Sequence, residues 1–369
     1  MPKATETTLE IDLNALGHNY LYLSSIIKPE TKVLAVVKAF GYGSDAIIVA
    51  KELITLGADY FAVAYASEGE ALRDAGIETP ILVLHPLPAN FSLVLNRCLE
   101  PSIYSRKMLL EFIAFAEDQK QRNYPIHLKF NTGLNRLGFG KGDVSFISET
   151  LSKTESVKVK SAFSHLAASE DLSEENFTRT QLDSFRSISK ELSEKLGYSP
   201  ILHTLNTSGI INYPDAELDM VRTGIGLYGF GNDPQENKQL KPVATLKTVI
   251  SQIHYIQPGE TVGYNRAFEA SQITKTATLP IGHADGISRS YGNEIGWVTI
   301  RDQKVPIIGN VCMDMIMVDI SSIECNEGDE VVIFGDNPTA KDLSSSIGSI
   351  PYELLTAISP RIKRVICRK

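Results

Sequence analysis

The sequence predicts a TIM-like (β/α)8 barrel followed by a mostly-β domain. Three observations carry that expectation. Eight short apolar runs, rich in β-branched residues, recur within residues 1–240; helix-length amphipathic segments separate most of them; and the alternation stops near Lys241-Pro242. The rival architecture is an open doubly wound sheet, which favours a GxGxxG turn after its first strand. Ala39-Phe40-Gly41-Tyr42-Gly43-Ser44 lacks that spacing.

In chain order, Leu9–Leu13 reads as a short strand after a polar start, and Asn14 as the cap of a helix carrying Leu16, Tyr20, Leu21, Leu23 and Ile26. The eight runs are Val33–Val37, Tyr60–Tyr65, Ile81–Leu84, Pro101–Tyr104, Ile126–Phe130, Lys160–Ser164, Ile201–Leu205, and Met220-Val221 running into Arg222. Val33–Val37 is continuously apolar, as expected of a strand covered on both faces. Gly41 and Gly43 then bracket Tyr42 and permit a tight turn, before a helix that starts near Asp45. Ser67–Asp74, Ser105–Glu117 and Gln181–Leu196 supply further helices.

The expected division is a barrel over residues 1–240 and a β domain over 241–369, with the first ten residues a candidate to pack on the latter. In the second part Val243–Ile256 alternates apolar and polar residues and Pro258-Gly259-Glu260 turns. Ile273–Ile281, Ile295–Ile300, Val305–Ile308, Met315–Ile320 and Glu330–Phe334 read as strands. Lys341–Ile347 and Tyr352–Ile358 read as helices before a last strand at Ile362–Ile366.

Composition narrows the function. A hydrophobic share of 43% over 369 residues supports two sizeable cores. The net charge of −8, with no sustained basic run, argues against a nucleic-acid partner and for a small-molecule substrate. Met1–Glu10 lacks the apolar stretch of a signal peptide and no segment approaches a membrane span, so a cytoplasmic location is expected. Cys98, Cys312, Cys325 and Cys367 form no paired spacing, which points to reduced thiols and no metal site.

Barrel enzymes work at the carboxyl ends of their strands. There this sequence places Lys38 and Tyr42 after the first run, and Lys129, Asn131 and Arg136 around and beyond the fifth. His165 follows the sixth, Asn206-Thr207-Ser208-Gly209 the seventh, and Arg222 with Gly224-Ile225-Gly226 the eighth. Small hydroxyl and glycine residues after the last two strands suit a phosphate. A lysine near a phosphate site suggests a nucleophile, which needs its neutral form favoured by burial. Taken singly, each has a plainer reading: Lys38 as a lysine snorkelling from a strand end, His165 as a core histidine, Asn206 as a helix cap, and Gly224–Gly226 as a tight turn.

Together these stretches resemble the alanine racemases. The resemblance rests on Ala35–Gly43 (AVVKAFGYG), His127–Phe139 (HLKFNTGLNRLGF) and Asp219–Gly229 (DMVRTGIGLYG). It continues with Gly259–Tyr264 (GETVGY), Pro280–Gly286 (PIGHADG) and Gly309–Asp314 (GNVCMD). It spans nearly the whole chain and implies a pyridoxal 5'-phosphate enzyme that interconverts L- and D-alanine through an aldimine and supplies D-alanine for peptidoglycan.

By that resemblance Lys38 holds the cofactor as a Schiff base and serves the D-side proton, while Tyr264 of the partner subunit serves the L-side. Inversion needs an acid/base group on each face, and a tyrosine, with an unperturbed pKa near 10, needs neighbours that ease its ionisation. The resemblance places Tyr42, Asn206, Thr207, Gly224, Ile225 and Tyr352 around the phosphate, His165 against the ring and Arg222 at the pyridine nitrogen. Arg136 and Met313 would address the substrate, supported by Lys129, His283 and Asp314. In some relatives the residue matching Lys129 is carbamylated. The implied assembly is a homodimer with shared active sites.

Three positions depart from the family pattern: Asn131 stands where aspartate is common, His283 where tyrosine is common, and Asn310 where an arginine often lines the entrance. They leave room for a broader-specificity amino-acid racemase. A non-catalytic pyridoxal-phosphate-binding protein would not need Tyr264. A barrel-type decarboxylase would favour an acid in place of Arg222.

Overall fold

The computed structural model describes residues 5–232 and 235–369, so the polar start Met1–Glu10 falls partly outside the described residues. Strand β1 (Thr8–Asp12) precedes the eight barrel strands: β2 (Lys32–Val36), β3 (Tyr60–Val63), β4 (Ile81–Val83), β5 (Glu100–Ile103), β6 (Tyr124–Lys129), β7 (Val157–Phe163), β8 (Ile201–His203) and β9 (Met220–Thr223). These pair in parallel in the order β8-β7-β6-β5-β4-β3-β2-β9. The seam between β8 and β9 carries no ladder. It is closed instead by the Arg222 backbone N–H donating to Leu205 O at 2.9 Å and by Leu202 N–H donating to Asp219 Oδ2 at 2.8 Å. Leu34, Ala35 and Val37 are wholly buried, the result of covering a strand on both faces.

After β9 the chain builds β10 (Ala244–Val249), β11 (Gln252–Ile256), β12 (Thr261–Val262), β13 (Phe268–Glu269), β14 (Thr274–Leu279), β15 (Trp297–Ile300), β16 (Gln303–Ile308), β17 (Ile316–Asp319), β18 (Glu330–Phe334) and β19 (Lys363–Cys367). Nine strands form one sheet in the order β11-β14-β17-β16-β15-β18-β10-β1-β19, while β12 and β13 make a small separate hairpin. Strand β1 therefore belongs to this second sheet, parallel to β19 (Thr8 opposite Lys363) and antiparallel to β10 (Ile11 opposite Ala244). From β1 in this sheet the chain runs through the whole barrel and returns to the same sheet.

Local expectations hold with shifts of a few residues at strand ends, and one cap is corrected. The first helix, Leu13–Ser25, is capped by Asp12 rather than Asn14. An N-cap needs extended backbone, which Asp12 has (φ −88°, ψ 105°); its Oδ1 accepts from Asn14 N at 2.9 Å and Ala15 N at 3.4 Å. Asn14 is already inside the first turn, and its side chain donates to Lys369 O instead. The helix expected from Gln181 begins earlier, at Glu175, and runs to Leu196.

Candidate active site

The carboxyl ends of the barrel strands enclose a cavity of about 620 Å³. Of the residues singled out in the sequence, it brings together Lys38, Tyr42, Lys129, Arg136, His165, Asn206, Thr207, Arg222, Gly224, Ile225 and Tyr352. Tyr264, Met313 and Asp314 do not join them. They line a second cavity of about 600 Å³ with Gly263, Cys312, Met315 and Met317.

Lys38 enters the first cavity from an unusual turn. Ala39, Phe40, Gly41 and Tyr42 all have φ between 51° and 62°, one left-handed helical turn closed by Gly41 N–H donating to Val37 O and Gly43 N–H donating to Ala39 O. For non-glycine residues that conformation costs about 1–2 kcal/mol each, so it survives only where neighbours over-determine it. Two do. Glu68 accepts from the backbone N–H groups of Ala39 (2.6 Å), Ala64 (2.7 Å) and Tyr65 (3.1 Å). From β19, Arg364 donates twice to Gly43 O and also to the carbonyls of Ile358, Ser359 and Ile362. Burial, reinforced by Arg136 and opposed by Glu68, lowers the Lys38 pKa from its ordinary value.

Opposite the lysine lies a polar cradle. Thr207 Oγ1 accepts from Gly224 N and Gly226 N at 3.3 Å each, and Asn206 Oδ1 accepts from Gly209 N at 2.8 Å. Tyr42 stacks on Tyr228 with centroids 4.5 Å apart and lies 6.0 Å from Tyr352. A Cβ at position 224 would sit 2.5 Å from the Tyr42 hydroxyl, so only glycine fits there. Burial raises the pKa of both Tyr42 and Tyr352, the latter to about 12, keeping both hydroxyls protonated as donors.

Cations dominate the remaining wall. Arg222 is 5% exposed. It donates to the carbonyls of Ser164 (2.7 Å), Thr204 (2.8 Å) and His203 (3.2 Å), with its Nη2 3.2 Å from His165 Nδ1. A guanidinium only donates, so His165 Nδ1 accepts and the ring proton sits on Nε2. Burial first, then Arg222, Arg136, Lys129 and Lys38, hold His165 well below the usual imidazole pKa, hence neutral. The same logic brings Lys129 down to about 8, by burial and then by Arg136, Arg222 and Lys38.

These features describe a pocket for a phosphate-bearing group beside a lysine. Comparison with known proteins decides the family. The sequence profile "Alanine racemase, N-terminal domain" matches residues 11–232, and "Alanine racemase, C-terminal domain" matches residues 243–366. The chain belongs to the alanine racemase family. It is 35% identical to "Alanine racemase 2" of Caldanaerobacter subterraneus subsp. tengcongensis over 368 residues, covering 97% of this chain and 94% of the relative. Among solved structures, the alanine racemase of Clostridium difficile 630 superposes with a TM-score of 0.93 at 32% identity, over 100% of this chain and 97% of that one. The alanine racemase of Bartonella henselae, solved with covalently bound pyridoxal phosphate, superposes at 0.89 and 29% identity, over 99% and 100%. Family membership makes the chain an isomerase that racemises alanine.

Against that family frame, the second cavity is an exposed loop cluster. Tyr264 is 73% exposed and Met313 59%. The tyrosine occupies a tight turn, not a strand, between Gly263 (φ 76°) and Asn265 (φ 60°), and Asn310 Nδ2 donates to its carbonyl at 3.0 Å. His283 and Ala284 donate backbone N–H groups to Cys312 O and Met313 O. Arg361 ties the two loops together, reaching buried Asp285 (2.6 Å) and Asp314 (2.7 Å). Asn131 organises the turn before Arg136 by accepting from Gly133 N and Asn135 N.

Sequence reasoning missed Glu68, His85, Leu137 and Asn232. His85 lines the first cavity just past β4, where the same end-of-strand rule would have found it. Glu68 joins its neighbours Ala64 and Tyr65 to the distant Ala39, and the buried Glu236, which accepts from Ser208, Asn212 and Asn232 N–H, joins Asn232 to the distant Ser208 and Asn212; the distant halves of these links left no local signal.

Proposed function

We propose that the protein racemises alanine on pyridoxal phosphate with two acid/base groups, Lys38 on the D-side and Tyr264 of the partner subunit on the L-side. The residues present fit the cofactor. Gly224 keeps the cradle open, Asn206, Thr207, Gly224, Ile225, Tyr42 and Tyr352 surround it with donors, and a lysine and an arginine lie across the cavity. Bound pyridoxal phosphate supplies an aldehyde carbon and an aromatic ring that acidify the Cα–H of an attached amino acid.

The protein's own groups then decide the outcome. Lys38, its neutral form favoured by burial, presents its amine to one face. Arg222 is pushed down to about 9 by burial and so stays a cation at neutral pH. As a pure donor it would leave the ring nitrogen it faces unprotonated, a weaker electron sink that favours prompt return of a proton to Cα over transamination. Arg136 would hold the substrate carboxylate. His165 presents its Nε2–H to a phenolic oxygen arriving on the second face.

Tyr264 and Met313 of the same chain do not reach that face, because they line a different cavity and stand exposed. A second copy docking its β sheet over the barrel mouth supplies both, giving a homodimer with shared sites; its D-alanine would serve peptidoglycan precursors. The observation that carries this reading is the lysine of lowered pKa facing a phosphate cradle in one cavity.

The test is solvent deuterium incorporation at Cα of L- and D-alanine, followed by NMR. The reading requires that Lys38→Ala and Tyr264→Phe each abolish interconversion while impairing exchange of opposite enantiomers. Equal loss of both exchanges in both variants would overturn it.

A further inference from the structure

A polar line crosses the barrel core that the reaction described above does not use. It begins at Arg222, which among the described residues has no carboxylate within ion-pair distance. Its Nη1 lies 2.8 Å from His203 Nδ1. Because the guanidinium only donates, that nitrogen accepts, and the His203 proton sits on Nε2. His203 Nε2–H then donates to Ser161 Oγ at 2.9 Å, and the serine hydroxyl donates to His127 Nδ1 at 2.6 Å. This leaves the His127 proton on Nε2, 2.7 Å from Glu100 Oε2.

With one proton on each ring, the guanidinium at one end and the Glu100 carboxylate at the other both impose this direction on the line. The opposite polarity would put a proton on His203 Nδ1, head to head with a guanidinium N–H. His127, Ser161 and His203 are all 0% exposed, whereas the Glu100 side chain retains 12% exposure at the amino end of β5. Tyr60, from β3, hydrogen-bonds the same carboxylate, and its ring packs edge-on against His127 at 6.2 Å. Barrel interiors are ordinarily filled by apolar side chains, and a buried polar chain is tolerated only when every member is satisfied.

We propose that Glu100, His127 and Ser161 are positioning residues for Arg222: the carboxylate anchors a one-way line of donors that keeps His203 Nδ1 an acceptor and holds the guanidinium aimed into the cavity. Removing the anchor frees His127 to carry its proton on Nδ1. Ser161 then turns toward His203 Nε2 in part of the population, because Arg222 is left as the one constraint on the direction of the line, and in those molecules the His203 proton sits on the side that opposes Arg222. The wiring is independent of the proposed mechanism; its effect on turnover rests on the role given there to Arg222.

The experiment uses cofactor-loaded protein labelled with 15N-histidine. Two-bond 1H–15N correlations report the tautomer of each ring, and kcat and KM are measured beside them. Wild-type protein shows both His127 and His203 protonated at Nε2 alone. Glu100→Leu shifts the His203 pattern and lowers kcat about fivefold at unchanged KM, the scale of one hydrogen bond. Glu100→Gln keeps an acceptor oxygen and restores both. Ser161→Ala, which cuts the line beyond an intact His127–Glu100 pair, shifts His203 as well and serves if Glu100→Leu does not fold. A His203 ring protonated at Nδ1 in the wild type, or unmoved by Ser161→Ala, overturns the proposal. A shifted His203 with undiminished kcat supports the line and counts instead against the role of Arg222.

Discussion

The barrel mouth and the Tyr264 loop are opposites in almost every physical respect. Lys38 hangs from a strained left-handed turn that Glu68 and Arg364 hold in place, inside a cavity whose cations and burial lower the pKa of Lys38, Lys129 and His165. Tyr264 sits on a turn of the β-rich part, 73% exposed, with one side-chain tether from Asn310. The first is a finished half-site, with its energetic cost borne inside one chain. The second is a phenol held out to solvent, away from the Lys38 cavity of its own chain. Such a difference between the two residues proposed to serve one reaction is what a shared site would demand: each chain would preorganise one face and lend the other.

The largest effects are expected on turnover. Lys38→Ala and Tyr264→Phe should each lower kcat for racemisation by about 10³-fold or more, the scale of losing an acid/base group. Their stabilities should differ in kind. Tyr264→Phe leaves an exposed ring in place and should shift unfolding free energy by no more than about 0.5 kcal/mol in a denaturant titration.

The next largest concerns Lys129. With its pKa at about 8 in the folded chain against about 10.4 unfolded, the unfolded state binds more protons between those values. Its burial therefore costs about 3 kcal/mol below pH 8, and that cost is relieved as pH rises from 8 to about 10.4. In carbon-dioxide-free buffer, Lys129→Gln should be the more stable protein at neutral pH, the gap closing over that window. With 13C-bicarbonate, the neutral amine should take up carbon dioxide, seen as a carbamate resonance missing from the variant.

Gly224→Ala places a methyl 2.5 Å from the Tyr42 hydroxyl, and Tyr42 has Tyr228 stacked on its ring. Overpacking of about 1–3 kcal/mol follows, with loss of bound pyridoxal phosphate read from its absorbance. The smallest expected effect belongs to Asn310→Ala. It removes one exposed hydrogen bond to the Tyr264 carbonyl and should lower kcat about threefold, with an unchanged melting temperature.

The same contrast governs what could be read from the sequence. Apolar runs such as Val33–Val37 announce their strands because burial on both faces demands them. Lys38, Arg222 and the Gly224 turn are legible because they stand at strand ends. The left-handed turn is only half legible: Gly41 and Gly43 suggest it, but Ala39 and Phe40 give no sign of positive φ, since distant Glu68 and Arg364 impose it. The membership of Thr8–Asp12 in the far sheet, and the Glu100–His127–Ser161–His203 line, depend on partners 27 to 42 residues apart or more. No local pattern encodes such pairings. That Tyr264 stands away from Lys38 was implied by resemblance alone, and the exposed turn now gives it a physical form.

The most direct test of the shared site mixes two inactive proteins. Lys38→Ala and Tyr264→Phe are each purified, shown to be inactive, combined and allowed to exchange subunits. In a hybrid dimer one site carries both defects and the other carries neither. The account predicts that racemase activity returns on mixing, toward about a quarter of wild type for random pairing. A mixture that exchanges subunits, as shown by mass spectrometry of the hybrid, yet stays inactive would contradict it.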